Sequence, residues 1–408
     1  MIIIAIYNEN LRFKIIRSRI FIKLNLVGII MSAPITHKIR VWDAPTRLFH
    51  WTLVGSFLTL WLTSENDQLL DFHVFAGYLL FGLLLFRLIW GMIGTEHAKF
   101  ANFLYGWRAV LNYLSTLFSA QPQHFLGHNP AGSLAIWLIL LLGLIASLSG
   151  IMLLGAEEQH GLLVGWFSFD QSEIIRAVHA LSSNIMLFIV IMHILGVIVS
   201  SRLHRENLAK AMVTGWKEAR TTHPNVATHN WLAGGLLLII IGFSAFYFKG
   251  YATATAEHPY LPFVGVQLPM EPTWQKSCGE CHLAYHPSLL PARSWEKMLA
   301  EQQEHFGEDL ALENNLLQIL TTFAKTHAAE TLPTEPAWKI SRSIPVAQAP
   351  LRITETEYWK MKHHEIQEDV WKYPNIRSRA NCAACHWDAA QGTFEDGAMR
   401  IPMAQIEK

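Results

Sequence analysis

The chain has 408 residues, enough for two or three domains. Hydrophobic residues make up 51% and charged ones 16%, and mean hydropathy is +0.22, a balance that leans towards a membrane protein. Lys plus Arg and Asp plus Glu both total 32, so no net charge draws the chain to nucleic acid.

In chain order, residues 1–36 come first as an extension whose apolar runs are broken by charge, a poor span and a poor signal peptide. Translation is expected to start at Met31, with a peripheral amphipathic helix as the alternative reading. Five apolar segments then reach membrane length: 47–63, 73–94, 133–153, 178–200 and 230–248. Loop charge orients them. Glu65, Asp67 and Asp71 lie in the first loop without a Lys or Arg, and Glu157, Glu158, Asp170 and Glu173 face a single Arg176 in the third. Lys38, Arg40 and Arg47 precede or open the first span, Lys99 and Arg108 lie in the second loop, and Arg202, Arg205, Lys210, Lys217 and Arg220 follow the fourth span. The positive-inside bias puts the N-terminus in the cytoplasm, and five crossings put everything after about residue 250 outside.

A Pro- and Ala-containing linker, 251–273, leads to a C-terminal domain over 274–408. Helical patterns mark 294–306 and 311–330, separated by a Pro-containing connector (331–350) from the final segment. All four Cys sit in two Cys-x-x-Cys-His motifs, "CGECH" and "CAACH". That pattern attaches c-type haem: Cys278 and Cys281, then Cys382 and Cys385, supply the thioethers, and His282 and His386 supply the proximal imidazoles. A four-thiolate zinc site is the rival reading. It leaves the His after each second Cys without a purpose. Haem attachment takes place on the outer face of a bacterial membrane, in agreement with the charge bias.

Imidazoles inside a bilayer are costly and tend to be functional. His50 in the first span and His193 in the fourth lie near the inner end, and His73 in the second and His179 in the fourth near the outer end. His179 and His193 are fourteen residues apart, so they share a helix face about 21 Å apart along the axis. Two depth-matched pairs suit two bis-histidine haems stacked through a helix bundle. Arg47 and Arg87 are candidates for haem propionates, Arg87 the stronger because it lies well inside the second span. His128, in "FLGHNPAG", is read chiefly as part of an Asn-Pro turn, although a quinone, headgroup or partner contact is the alternative.

"VWDAPTRLFHW", "FLGHNPAGSLA" and "HALSSNIMLFIVIMHILGVIVSSRLHRENLAKAMVTGWKE" resemble the bacterial cytochrome b561 and nickel-iron hydrogenase cytochrome b family over about 37–220. The resemblance implies a four-helix dihaem core ligated by His50, His73, His179 and His193, in exchange with membrane quinone; the fifth span is extra. "CGECHLAYHPSLLPARSW", "EHFGED", "YWKMKHHEI" and "CAACHWDAAQGTFEDGAMRIP" are similar to periplasmic diheme cytochrome c, over about 275–403. That implies two c haems, each with a distal histidine. His305 and His363 are the expected distal ligands, with His364, His327 and His286 behind them.

The expected fold is all-α: a transmembrane four-helix dihaem bundle (37–222), a fifth transmembrane helix (223–250) and a mainly helical diheme cytochrome c domain. No nucleophile elbow, phosphate loop or dinucleotide fingerprint is present. The expected function is tetrahaem electron transfer, as a quinol:acceptor oxidoreductase in the inner membrane. Its partners are the quinone pool and a soluble periplasmic redox protein. The rival readings are a cytochrome subunit of a larger oxidoreductase, a superoxide-oxidising haem enzyme, and a gas-binding sensor.

Overall fold

The computed structural model describes residues 37–400 except 118, 120–122, 168, 220, 222, 256–259, 261, 264–267 and 333. The 1–36 extension and the expected start at Met31 lie outside the described residues. Strand β1 (His37–Arg40) pairs antiparallel with β2 (Trp216–Ala219), His37 opposite Ala219, and so ties the two ends of the first domain together.

Helix α1 (Ala44–Thr63) starts where Asp43 caps it, its carboxylate accepting from Thr46 N at 2.7 Å with Pro45 in the first turn. The same fully buried carboxylate accepts from Trp90 Nε1 at 3.2 Å and Thr95 Oγ1 at 2.5 Å. One residue of the "WDAPT" stretch therefore starts α1 and pins it to the end of α2 (Leu70–Ile93). The short α3 (Trp107–Thr116) leads to α4 (Pro130–Ala156), which Asn129 caps by accepting from Gly132 N at 2.7 Å. Helix α5 (Phe169–Leu203) runs well past both ends of the expected 178–200 span, and at its start Arg176 pairs with Glu157. After α6 (Leu208–Thr214), Gly215 takes a left-handed φ of +86° and its carbonyl accepts from Val41 N at 2.8 Å. A Cβ there would lie 2.7 Å from Trp42 O, so this closure requires glycine.

Helix α7 (Asn230–Tyr247) has no buried residue, as a lipid-facing span should, and packs on α1. Helices α2, α4, α5 and α7 are each long and apolar enough to cross a membrane. Helix α1 is more polar, with His50 and several Ser and Thr on its faces. In the bundle α2 packs against both α1 and α4, and α4 packs along α5, around Leu80, Leu84 and Leu140. The short α8 (Lys249–Thr253) follows, where Tyr251 hydrogen-bonds to Asp71; the expected linker thus begins as helix.

The C-terminal part contains α9 (Pro272–Gly279), α10 (Ala292–Ala300), α11 (Asn314–Thr326), α12 (Glu335–Ser343) and α13 (Glu357–His363). Trp274, Leu290, Trp295, Leu320 and Phe323 form its main core. Two expectations need correction. The helix expected over 294–306 stops at Ala300 and gives way to a 3₁₀ turn. The 331–350 connector holds α12, because Pro336 sits in the first helical turn, where a missing N–H costs nothing.

This domain rests on the His73 end of the bundle. The Asp396–Ala398 turn packs against Asp67–Leu69 and α2, and Glu395 hydrogen-bonds to Glu158. The 382–400 segment that makes this contact is closed on itself. Arg400 N donates to Cys385 O at 2.7 Å and Trp387 N to Ala398 O at 3.3 Å. The second Cys-x-x-Cys-His motif is therefore tied directly to the segment that touches the bundle.

Candidate haem sites

An imidazole nitrogen binds a metal at about 2 Å and lies about 1.1 Å from its ring centre, so two trans imidazoles put their centroids about 6.2 Å apart. The His73 and His179 rings are 6.3 Å apart, His282 and His305 6.3 Å, and His363 and His386 6.2 Å. Each separation has room for one iron.

Hydrogen bonding decides which nitrogen is free. His179 Nδ1 lies 2.9 Å from Ala146 O, His282 Nδ1 2.7 Å from Leu283 O, and His363 Nδ1 2.8 Å from Trp359 O. His73 Nδ1 lies 3.3 Å from Thr63 Oγ1, whose own proton goes to Thr59 O at 2.8 Å. A backbone or hydroxyl acceptor holds the proton on Nδ1 and leaves the Nε2 lone pair for a metal. Sequence could not single out these acceptors, because a carbonyl is present at every residue. Close packing also sets His179: a Cβ on Gly150 of α4 would come within 3.1 Å of its Cε1.

Ring spacing alone is not sufficient. His286 and His327 are also 6.3 Å apart. Yet fully buried His286 contacts Pro269 O through Nε2 at 3.0 Å and accepts from Ser288 N at Nδ1 at 3.1 Å. Both its nitrogens are used, so it is a structural residue. His364 is exposed, its Nδ1 2.7 Å from Met361 O and its Nε2 beside Glu365.

At the other end of the bundle His50 lies six residues into α1, about 9 Å along it, within electrostatic reach of His193. Among the described residues, four buried polar atoms at this end have no hydrogen-bond partner: His50 Nδ1, Arg87 Nη1, His128 Nδ1 and Trp137 Nε1. Orphaned donors in an apolar bundle mark a place built for a polar group. Arg47, by contrast, is spent on backbone, donating to Asp43 O at 3.3 Å and Val213 O at 2.7 Å.

The cysteines do not make a zinc site. Among the described residues no three of His, Cys, Asp and Glu gather as metal ligands.

Residues 41–215 match the family model of prokaryotic cytochrome b561, and residues 274–394 that of dihaem cytochrome c. The chain joins a cytochrome b561 domain to a dihaem cytochrome c domain. A b-type haem belongs to the first and c-type haems to the second. The cytochrome b561 domain is similar to the probable Ni/Fe-hydrogenase B-type cytochrome subunit of Azotobacter vinelandii. Identity is 27% over 222 residues, which span 46% of this chain and 91% of the relative. The same-named subunit of Rhizobium leguminosarum bv. viciae is 27% identical over 210 residues, 44% of this chain and 88% of its own. The dihaem cytochrome c domain is similar to the diheme cytochrome c from Rhodobacter sphaeroides, with 34% identity, covering 32% of this chain and 100% of that one, at a TM-score of 0.29. A diheme cytochrome c from Shewanella baltica OS155 is 27% identical, covering 33% of this chain and 95% of that one, at a TM-score of 0.27.

Proposed function

We propose that the chain is a tetrahaem electron conduit between the membrane quinone pool and a soluble periplasmic acceptor. Haem supplies reversible one-electron transfer when bound. The residues of the chain hold and insulate it. His50 with His193 and His73 with His179 hold two b haems. Cys278, Cys281 and His282 with His305, and Cys382, Cys385 and His386 with His363, hold two c haems.

The observation that carries this reading is a ring separation of 6.2–6.3 Å at three predicted pairs, combined in each pair with an imidazole whose Nδ1 is hydrogen-bonded to a backbone carbonyl. The docked domain adds to it, since it lies at the bundle end that the charge bias assigns to the periplasm. Quinol oxidation yields quinone, two electrons and two protons: the electrons pass one at a time into the haems and the protons leave to water, so the step needs no nucleophile and no nucleotide-binding loop.

A second reading has its own support. The similar proteins are described as cytochrome subunits of Ni/Fe hydrogenase, so an oxidoreductase subunit is the alternative electron donor, with quinone as the acceptor. One experiment separates the two. In liposomes containing the protein and quinol, a membrane-impermeant acceptor outside is expected to be reduced many times faster than in empty liposomes. No reduction above that background would overturn the quinol-to-periplasm reading and favour the hydrogenase-linked one.

A further inference from the structure

At the His50 end of the bundle, three side chains gather around the Phe100–Phe103 turn. Arg87 of α2 lies with its Cζ 4.6 Å from the Phe100 ring centre and 5.8 Å from that of Phe103. His128 lies 4.4 Å from Phe103. Trp137 of α4 lies 4.5 Å from Phe100 and 6.4 Å from Phe103. Arg87 is 3% exposed, and a guanidinium so deeply placed needs an anion or several acceptors. The charge of Asp43 reaches Arg87, but that carboxylate accepts its hydrogen bonds from Thr46, Trp90 and Thr95. Arg87 Nη1, His128 Nδ1 and Trp137 Nε1 are all buried without a partner among the described residues.

The depths agree. Arg87 is six residues, about 9 Å, from the end of α2, and Trp137 seven residues, about 10 Å, from the start of α4. That is the level of His50 in α1. Burial, followed by the charges of Arg87, His97, Lys217 and His193, pushes His128 down to about 3, so it is a neutral ring. With its proton on Nδ1, such a ring presents the orphaned atom as a donor. One guanidinium and two neutral N–H groups form a donor set suited to carboxylate.

We infer that Arg87, His128 and Trp137 form one carboxylate-binding cradle, which receives the propionates of the b haem held by His50 and His193. His128 and Trp137 thereby become positioning residues with a role beyond the turn and the bundle packing. The inference rests on the dihaem reading of the bundle.

The test uses the full-length holoprotein with the variants R87Q, H128Q and W137F. Each b haem is titrated potentiometrically over a range of pH, with resonance Raman of the propionate bending modes. A carboxylate stripped of a donor stays protonated to higher pH. The inner b haem is therefore expected to change the pH dependence of its potential in all three variants, and its propionate modes to shift. In R87Q its potential should also fall, because the buried positive charge is lost. The other b haem and both c haems should not change. Unchanged potentials, pH profiles and propionate modes in W137F and H128Q would overturn the inference. So would a raised KM for quinol with those readouts unchanged, which would assign the donors to a quinone carbonyl. A wild-type protein with only one b haem would instead overturn the dihaem reading, so the two failures are distinguishable. W137F keeps an aromatic ring beside Phe100 while removing the N–H, so the test does not depend on R87Q folding.

Discussion

Single imidazoles in the C-terminal domain divide by what their second nitrogen does. His286 spends both nitrogens on Pro269 and Ser288 inside the fold, whereas His305 faces His282 across the width of one metal ion. His286→Gln should therefore lower thermal stability by about 1–3 kcal/mol, the cost of disturbing a buried hydrogen bond, while the low-spin haem spectrum stays intact. His305→Ala should do the reverse, producing a high-spin, carbon-monoxide-binding haem with little change in melting temperature. Thermal melts and optical spectra of the two variants check the pair; a low-spin spectrum in His305→Ala would remove that residue as a distal ligand. At this scale much was legible in the sequence. Cys-x-x-Cys-His names its own residues, and an imidazole in an apolar span stands out against its surroundings. The choice among His286, His305, His327, His363 and His364 was harder. It turns on carbonyls and ring spacing that only the folded chain defines. Trp137 is hidden in the sequence, and His128 reads there chiefly as part of a turn, for a related reason: their orphaned nitrogens are visible only once the bundle has closed around them.

Elements set how accurately those rings are held. Gly150 lets α4 approach α5 closely enough for Ala146 O to meet His179 Nδ1. Gly150→Leu forces a branched side chain into that contact, an overpacking that costs about 1–3 kcal/mol, and should lower occupancy of one b haem. Gly234→Leu on α7, where an added Cβ meets nothing within 4 Å, should leave all haems in place. Pyridine haemochrome ratios of the two variants provide the measurement, and equal b haem content in both would contradict the role given to Gly150. The apolar helices were readable because length and hydropathy suffice for a span. The 3₁₀ turn after Ala300 and the helix within 331–350 were not, since a proline signals a break or a helix start with equal ease, and only its position in the first turn of α12 decides between them.

The whole molecule depends on how the C-terminal domain sits on the bundle. Glu158 and Glu395 hydrogen-bond across that junction, with Glu157, Glu335, Asp388, Asp396 and Tyr358 also near and Arg176, Lys339 and Lys362 among the facing cations. Burial, followed by neighbouring acid charge, pushes both carboxyls well above the ordinary carboxylate range. The docked form thus binds protons that the undocked form releases. Docking is fully favoured in acid and weakens as pH rises through the raised values. Hydrogen exchange over 395–400, corrected for its intrinsic rate, should show protection falling on the alkaline side of neutrality. In Glu158→Gln that dependence should flatten, and an unaltered profile would contradict the account of the junction.

The proposed conduit holds four haems on one chain, each between two imidazoles. Redox-titrated optical and electron paramagnetic resonance spectroscopy of the purified protein, with haemochrome quantitation, tests it most directly. Two b and two c haems per chain, all low-spin and reducible by a quinol, are predicted. A single b haem, or a high-spin haem that binds carbon monoxide in the unmodified protein, would contradict it.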